Sequence, residues 1–206
     1  MTDTELLIAT YNSGKLHELR ELLGQLQFEL RDLHSFPSVH VVAETGSTFE
    51  ENAALKAAGY ARQAGLMTVA DDSGLEVSAL GGLPGVRSAR YAGEDVSDAE
   101  RVEKLLFELS RATSTDRTAR FVSTIVIADR TGAILNVSRG VCLGEIAHAP
   151  RGANGFGYDP IFIPAGFDET FAELASTVKN QISHRAQALK KAAKFLRSLT
   201  IDSRAG

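Results

Sequence analysis

The chain has almost no cysteine. Cys142 stands alone among 206 residues, so no intrachain disulfide can form. Its place in a strand-like run suits a buried structural thiol in a reducing cytoplasm. An excess of positive charge is also missing. The formal charge is −4, which argues against a general nucleic-acid binder but leaves room for a local basic pocket. No basic stretch followed by an apolar run opens the sequence, and no segment is long enough to span a bilayer. The expectation is a cytoplasmic protein with neither nucleic acid nor membrane as partner. Internal repeats and low-complexity segments are absent as well. What is present is an ordinary apolar fraction of 44%, in a length suited to one medium α/β domain or to one domain split into two lobes.

One stretch organises the rest: Val69-Ala70-Asp71-Asp72-Ser73-Gly74-Leu75. Met67 to Ala70 reads as a strand running out into a tight acidic turn, with Gly74 allowing a sharp change of direction. Two adjacent carboxylates repel each other, and a divalent cation relieves that repulsion. Hard cations prefer oxygen ligands, so this turn is expected to hold Mg²⁺, with a phosphorylated substrate following the metal. The alternative is a solvated Asp-Asp turn with Ser73 capping a helix.

Further elements surround it. Glu5 to Thr10 reads as a buried strand, Tyr11-Asn12-Ser13-Gly14 as turn, and Lys15 to Leu23 as a helix with leucines at 16, 19, 22 and 23. Strand, polar loop and helix form an anion-binding geometry, because backbone N–H groups at the helix start face the loop. It is not a Walker A loop: the first glycine is missing and Leu16 follows the lysine. An N-capped helix with a surface lysine is the bland alternative. Phe28 to Leu33 suggests a second strand. Thr48 and Glu51 have capping-box spacing ahead of an alanine-rich helix over Phe49 to Ala64. Glu44 lies just before it, as a loop carboxylate or as a second metal ligand.

Downstream, Leu75 to Leu80 suggests a short helix and Gly81 to Gly85 a bent loop, with Arg87 and Arg90 beside it. Ser97 and Glu100 form another capping box, before an amphipathic helix over Asp98 to Ser110. Ala119 to Ala128 and Ile134 to Ile146 read as a long hairpin, expected in a smaller lobe. The glycines Gly140 and Gly144 mark bulges or close approaches in it. Crossover helices with antiparallel strands give an α/β fold with a mixed sheet. Phe156 in the glycine-rich run Pro150 to Pro160 offers a stacking face for a base, or else plugs the core. Lys179, His184 and Arg185 gather near the start of a last helix, Ala186 to Leu199. An anionic or polar ligand explains cations at that end better than stability does.

Several segments coincide in order over nearly the whole chain: Ala9 to Lys15, Glu44-Thr45-Gly46 with Thr48 to Ala53, Ala70 to Leu75, Gly81 to Tyr91, Gly155 to Ile161, and Ser183-His184-Arg185. Together they resemble the inosine/xanthosine triphosphate pyrophosphatases, which cleanse the nucleotide pool. The resemblance implies an elongated mixed β-sheet flanked by helices, in two lobes with an active-site cleft between them, and a homodimer. It implies Mg²⁺-dependent hydrolysis of ITP, dITP or XTP to the monophosphate and pyrophosphate. It also implies roles. Thr10, Tyr11, Asn12, Ser13, Gly14 and Lys15 would cradle the triphosphate. Asp72 would be general base and metal ligand, Glu44 would assist the metal, and Ser73 would contact substrate. Phe156, Gly157, Tyr158, Asp159, Lys179, His184 and Arg185 would bind the nucleotide, mostly its base. Donors on His184 and Arg185 match the 6-oxygen of hypoxanthine and would meet the adenine amine donor to donor, a mismatch worth up to about 10⁴–10⁵ where fully exploited. Competing readings are a pyrophosphatase for modified pyrimidine nucleotides and a non-catalytic nucleotide sensor.

Overall fold

The computed structural model describes residues 5–202 of the chain. Six strands form one sheet: β1 (Glu5–Ile8), β2 (Glu29–Asp32), β3 (Met67–Val77), β4 (Thr118–Ala128), β5 (Ile134–Ile146) and β6 (Phe162–Pro164), in the order β2-β1-β3-β4-β5-β6. β1 runs parallel to β2 and β3, whereas β5 and β6 are antiparallel. The sheet is therefore mixed, as expected. Five α-helices accompany it: α1 (Ser13–Leu23), α2 (Phe49–Ala64), α3 (Asp98–Arg111), α4 (Ser176–Ile182) and α5 (His184–Asp202).

The chain divides into two compact units. Unit 1 comprises Met1–Asp72, Ser123–Gly140 and Arg185–Gly206; unit 2 comprises Ser73–Val122 and Val141–His184. The hairpin tip thus belongs to unit 1, while the outer parts of β4 and β5 belong to unit 2.

Unit 1 follows the period of two along a strand. Leu6, Ile8 and Val69 face one way and pack with Leu19 and Leu23 of α1 and Ala188, Leu189, Ala192 and Leu196 of α5. Leu7, Ala9 and Ala70 face the other way and pack with Ala53, Ala57, Tyr60 and Ala61 of α2. The capping box on α2 forms as read: Glu51 N–H donates to the Thr48 hydroxyl at 3.1 Å, and the Glu51 carboxylate reaches back to the Thr48 N–H. Alanines let α2 lie close to the sheet.

Unit 2 has its own core. Leu75 and Val77 of β3, Phe121 of β4 and Ile146 of β5 pack with Val102, Leu105 and Leu109 of α3. The Phe121 ring lies 4.6 Å from Phe162, which lies 5.1 Å from Phe171. Each such ring contributes about 1.5–3 kcal/mol by leaving water.

The acidic turn is not a turn. β3 continues unbroken from Met67 to Val77, and the helix expected from Leu75 shrinks to a 3-10 turn at Ser78–Leu80. Gly74 serves a close approach instead. A Cβ there would lie 2.3 Å from the Ser88 Oγ and 2.6 Å from the Gly85 carbonyl oxygen. That Ser88 hydroxyl accepts from the Leu75 N–H at 2.9 Å and donates to the Gly85 carbonyl at 2.6 Å. Gly144 acts similarly, its Cβ position lying 2.2 Å from the Ile163 carbonyl oxygen. At the other end, the stretch leading into the last helix is itself a short helix, α4. Ser183 stands between α4 and α5.

Candidate active site

The extended course of β3 decides what its two aspartates can do. Side chains alternate along a strand, so neighbouring carboxylates point to opposite faces of the sheet. Asp71 shares the face of Val69, toward α1 and α5; Asp72 shares the face of Ala70, toward α2. The supposed repulsion is thereby relieved without a shared cation, and each carboxylate has its own partners within unit 1.

Asp71 is an anchor. It is 1% exposed and accepts from the Ser123 hydroxyl at 2.6 Å. Lys15 Nζ lies 2.8 Å from its Oδ2, and Arg185 Nε 3.5 Å. Burial raises the pKa of this carboxyl, but Lys15 and Arg185 outweigh burial and hold it far below the ordinary aspartate value. Arg185 also pairs with Glu18 of α1. A charged ladder thus ties the start of α5 to the start of α1 through β3.

Asp72 is different. It is 6% exposed, its Oδ1 accepts from Lys56 Nζ at 3.0 Å, and its Oδ2 has no hydrogen-bond partner. Lys56 Nζ also donates to Glu44 Oε2 at 2.9 Å, so one ammonium stands between the two carboxylates. Burial pushes Asp72 up to about 6; Lys56 and Lys15 oppose the rise, and Glu44 adds to it. Glu44 moves the other way: burial raises it, but Lys56 and hydrogen bonding outweigh burial and hold it below its ordinary value. Asp72 is a buried carboxyl poised near neutrality, as a general base should be.

The first loop keeps its strand, loop and helix order, but α1 begins two residues earlier than expected, at Ser13. The Asn12 side chain caps α1 by accepting from the Lys15 N–H at 2.9 Å, and the Asn12 N–H donates to the Thr10 hydroxyl at 3.1 Å. Ser13 and Gly14 lie in the first turn of α1, where backbone N–H groups lack intrahelical partners. Tyr11 is 46% exposed, with its ring edge-on to His34 and Tyr60. Lys15 therefore joins a polar helix start to the β3 carboxylates.

In unit 2, the glycine-rich loop is held by its own acid. Asp159 Oδ2 accepts from the Phe156 N–H at 2.9 Å and from Lys179 Nζ at 2.6 Å. Lys179 Nζ also lies 5.1 Å from the centre of the Phe156 ring, within cation–π range. Gly155 has φ 76°, and a Cβ on it would lie 2.0 Å from Asp159 Oδ2, so only glycine fits. The Tyr158 hydroxyl donates to the Ser88 carbonyl at 3.1 Å. The His184 ring stacks on Phe121 at 4.6 Å. Lys179 and Asp159 are both buried, and they support the loop that presents Phe156. Ser73 is half-buried, at the start of unit 2 on β3.

Three site residues escaped the sequence reading: Lys56, Glu18 and Ser123. Lys56 had a legible signal. Phe49, Asn52, Ala53, Lys56, Ala57, Tyr60 and Ala61 form the buried stripe of α2, and Asn52 and Lys56 are polar residues one turn apart on it. Asn52 is used too: its side chain accepts from the Gly46 N–H at 2.7 Å and fixes the turn after Glu44. Glu18 lies one turn beyond Lys15 on α1. Nothing local marks Ser123.

A mixed α/β sheet carrying a buried, cation-flanked carboxylate beside a helix start with open backbone N–H groups is the arrangement of a class of protein suited to polyphosphate chemistry. Comparison with known proteins is more specific. The model of the Ham1 family matches residues 6–195. A dITP/XTP pyrophosphatase of Geobacillus kaustophilus is 51% identical over 187 residues, 91% of each chain. One from Bacillus anthracis is 46% identical over 191 residues, 91% of this chain and 93% of its own. A solved HAM1 protein from Coxiella burnetii superposes with a TM-score of 0.86 at 47% identity, covering 94% of this chain and 98% of that one. The chain belongs to the Ham1 family.

Proposed function

We propose that this chain hydrolyses the non-canonical purine nucleoside triphosphates ITP, dITP and XTP to the monophosphate and pyrophosphate. Its relatives' names support the substrate class. The observation that carries the chemistry is Asp72: a buried carboxyl raised to about 6, with one oxygen on Lys56 and the other without a partner.

The open oxygen of that carboxyl, Asp72 Oδ2, also suits Mg²⁺. No group of three or more acidic, histidine or cysteine residues forms a ready-made metal cage among the described residues. Mg²⁺ does not need one: it keeps several waters and binds through one or two carboxylates plus substrate phosphates. Asp72 Oδ2, with Glu44 nearby, fits that requirement, and these two residues would hold the ion. When bound, it supplies charge neutralisation on the phosphoryl oxygens.

The chain's own residues do the rest. The start of α1, from Thr10 through Tyr11, Asn12, Ser13 and Gly14 to Lys15, receives the triphosphate. Lys15 spreads its charge as negative charge develops on the reacting phosphate. Asp72 orients a water at the scissile phosphorus and takes its proton. Lys56 keeps Asp72 partly ionised and fixes its rotamer. In unit 2, Phe156 offers its face to the purine, and Lys179 and Asp159 hold it there. His184 and Arg185 supply donors to the 6-oxygen.

A homodimer in the cytoplasm is the expected working form. No helix among the described residues is long and apolar enough to cross a membrane. The discriminating experiment assays ITP, XTP, ATP and TTP side by side, with Mg²⁺ and with chelator. The proposal requires pyrophosphate release from the first two with Mg²⁺ only. Preference for TTP, or binding without release, would overturn it.

A further inference from the structure

The N-terminus of α3 holds the loop that presents Phe156. Asp98 is the first residue of α3, and that helix start is capped. Ser97 and Glu100 close a capping box on it, with the Glu100 N–H donating to the Ser97 hydroxyl at 3.2 Å and the Glu100 carboxylate accepting from the Ser97 N–H at 2.7 Å. The Asp98 carboxylate is then fixed on both sides. Its Oδ1 pairs with Arg101 one turn along the helix, and Arg101 is itself tied to the Val96 carbonyl at 2.7 Å. Its Oδ2 accepts from the Gly157 N–H at 2.6 Å, across 59 residues of sequence.

That bond completes a pattern. Phe156 and Gly157 present consecutive backbone N–H groups, and each is taken by a carboxylate: Phe156 by Asp159, Gly157 by Asp98. Gly157 has φ 63° and Gly155 φ 76°, a backbone that needs fixing if the ring between them is to keep one orientation. Both acceptors are charged, and charge-assisted hydrogen bonds are the stronger kind. Asp159 belongs to the loop's own segment and is held in turn by Lys179 of α4; Asp98 ties the loop's backbone directly to α3.

We infer that Asp98, braced by Arg101, is a positioning residue that sets the orientation of Phe156 for the purine base; this rests on the proposed role of Phe156 in base binding. Asp98 touches no reacting atom. Its removal weakens base binding in the ground state and the transition state alike, which raises KM and spares kcat.

The test compares Asp98→Ala, Asp98→Asn and Phe156→Ala with the parent protein, using ITP at saturating Mg²⁺. Asp98→Ala should raise KM about tenfold, the effect of one lost charge-assisted bond, with kcat within about twofold. Asparagine keeps an oxygen acceptor for the Gly157 N–H, so Asp98→Asn should recover most of the KM. Phe156→Ala should raise KM at least as much as Asp98→Ala. If Phe156→Ala raises KM and Asp98→Ala does not, the positioning role is wrong and the base reading stands. If Phe156→Ala leaves KM unchanged, the base reading falls and takes this inference with it. An asparagine variant as impaired as the alanine one would overturn the hydrogen-bond account.

Discussion

Take the metal-free protein and replace Asp72 with asparagine. The ordinary aspartate value is 3.8, and the folded protein raises Asp72 to about 6. At about 1.36 kcal/mol per pH unit, keeping Asp72 ionised at pH 8 costs the fold up to about 3 kcal/mol. The sign follows from proton binding. The folded state holds this proton more tightly than the unfolded state does. Stability therefore falls as pH rises from about 4 to about 6, and the loss is complete above that. Asparagine never ionises and avoids the cost, but it turns the Lys56 contact from an ion pair into a weaker hydrogen bond. A net gain of roughly 1–2 kcal/mol at pH 8 remains, which raises Tm by about 2–8 °C in a chain of this size. Thermal melts with chelator at pH 4.5, 6 and 8 read this directly. The advantage should be largest at pH 8 and nearly gone at pH 4.5. The same variant, given Mg²⁺ and ITP, should still bind nucleotide and not turn it over. A variant less stable than the parent at pH 8 refutes the raised pKa, and near-normal turnover removes Asp72 from the chemistry.

Other perturbations probe the neighbours. Lys56→Met removes an ammonium that favours the ionised form of Asp72. The acid limb of kcat/KM, measured at saturating Mg²⁺, should therefore move to higher pH, and an unmoved limb refutes the coupling. Arg185→Ala separates two roles. Loss of preference for ITP over ATP marks a base donor, whereas an equal loss with both substrates marks an anchor for Asp71. Gly74→Ala pushes a methyl group into Ser88 and the Gly85 carbonyl. It should cost about 1–3 kcal/mol, seen as a lower Tm, because a packed core resists added volume; an unchanged Tm would mean that the loop at Gly85 yields freely.

Local rules reached far in this chain. α2 and β5 occupy the expected ranges, and both capping boxes form, because periodicity and caps are local signals. β3 defeated them. Asp-Asp-Ser-Gly has the composition of a turn, yet tertiary partners override it. Lys15, Arg185 and Lys56 arrive from three helices to neutralise carboxylates that propensity alone would send to solvent. The site residues were legible as residues but not as partners. Arg185 was read beside Lys179, yet it closes on Asp71 and Glu18, while Lys179 closes on Asp159. Lys56 was hidden by the bland alanines around it, although its position on the buried stripe of α2 was open to counting. The Asp98–Gly157 bond spans 59 residues, and no local pattern announces it.

The proposed duty of the site is to cut a purine triphosphate between its α and β phosphates. Incubating the purified protein with ITP and Mg²⁺ and identifying the products tests that duty most directly. Inosine monophosphate with pyrophosphate, and nothing released under chelator, is the predicted outcome. Inosine diphosphate with orthophosphate would place the cut at the wrong bond and contradict it.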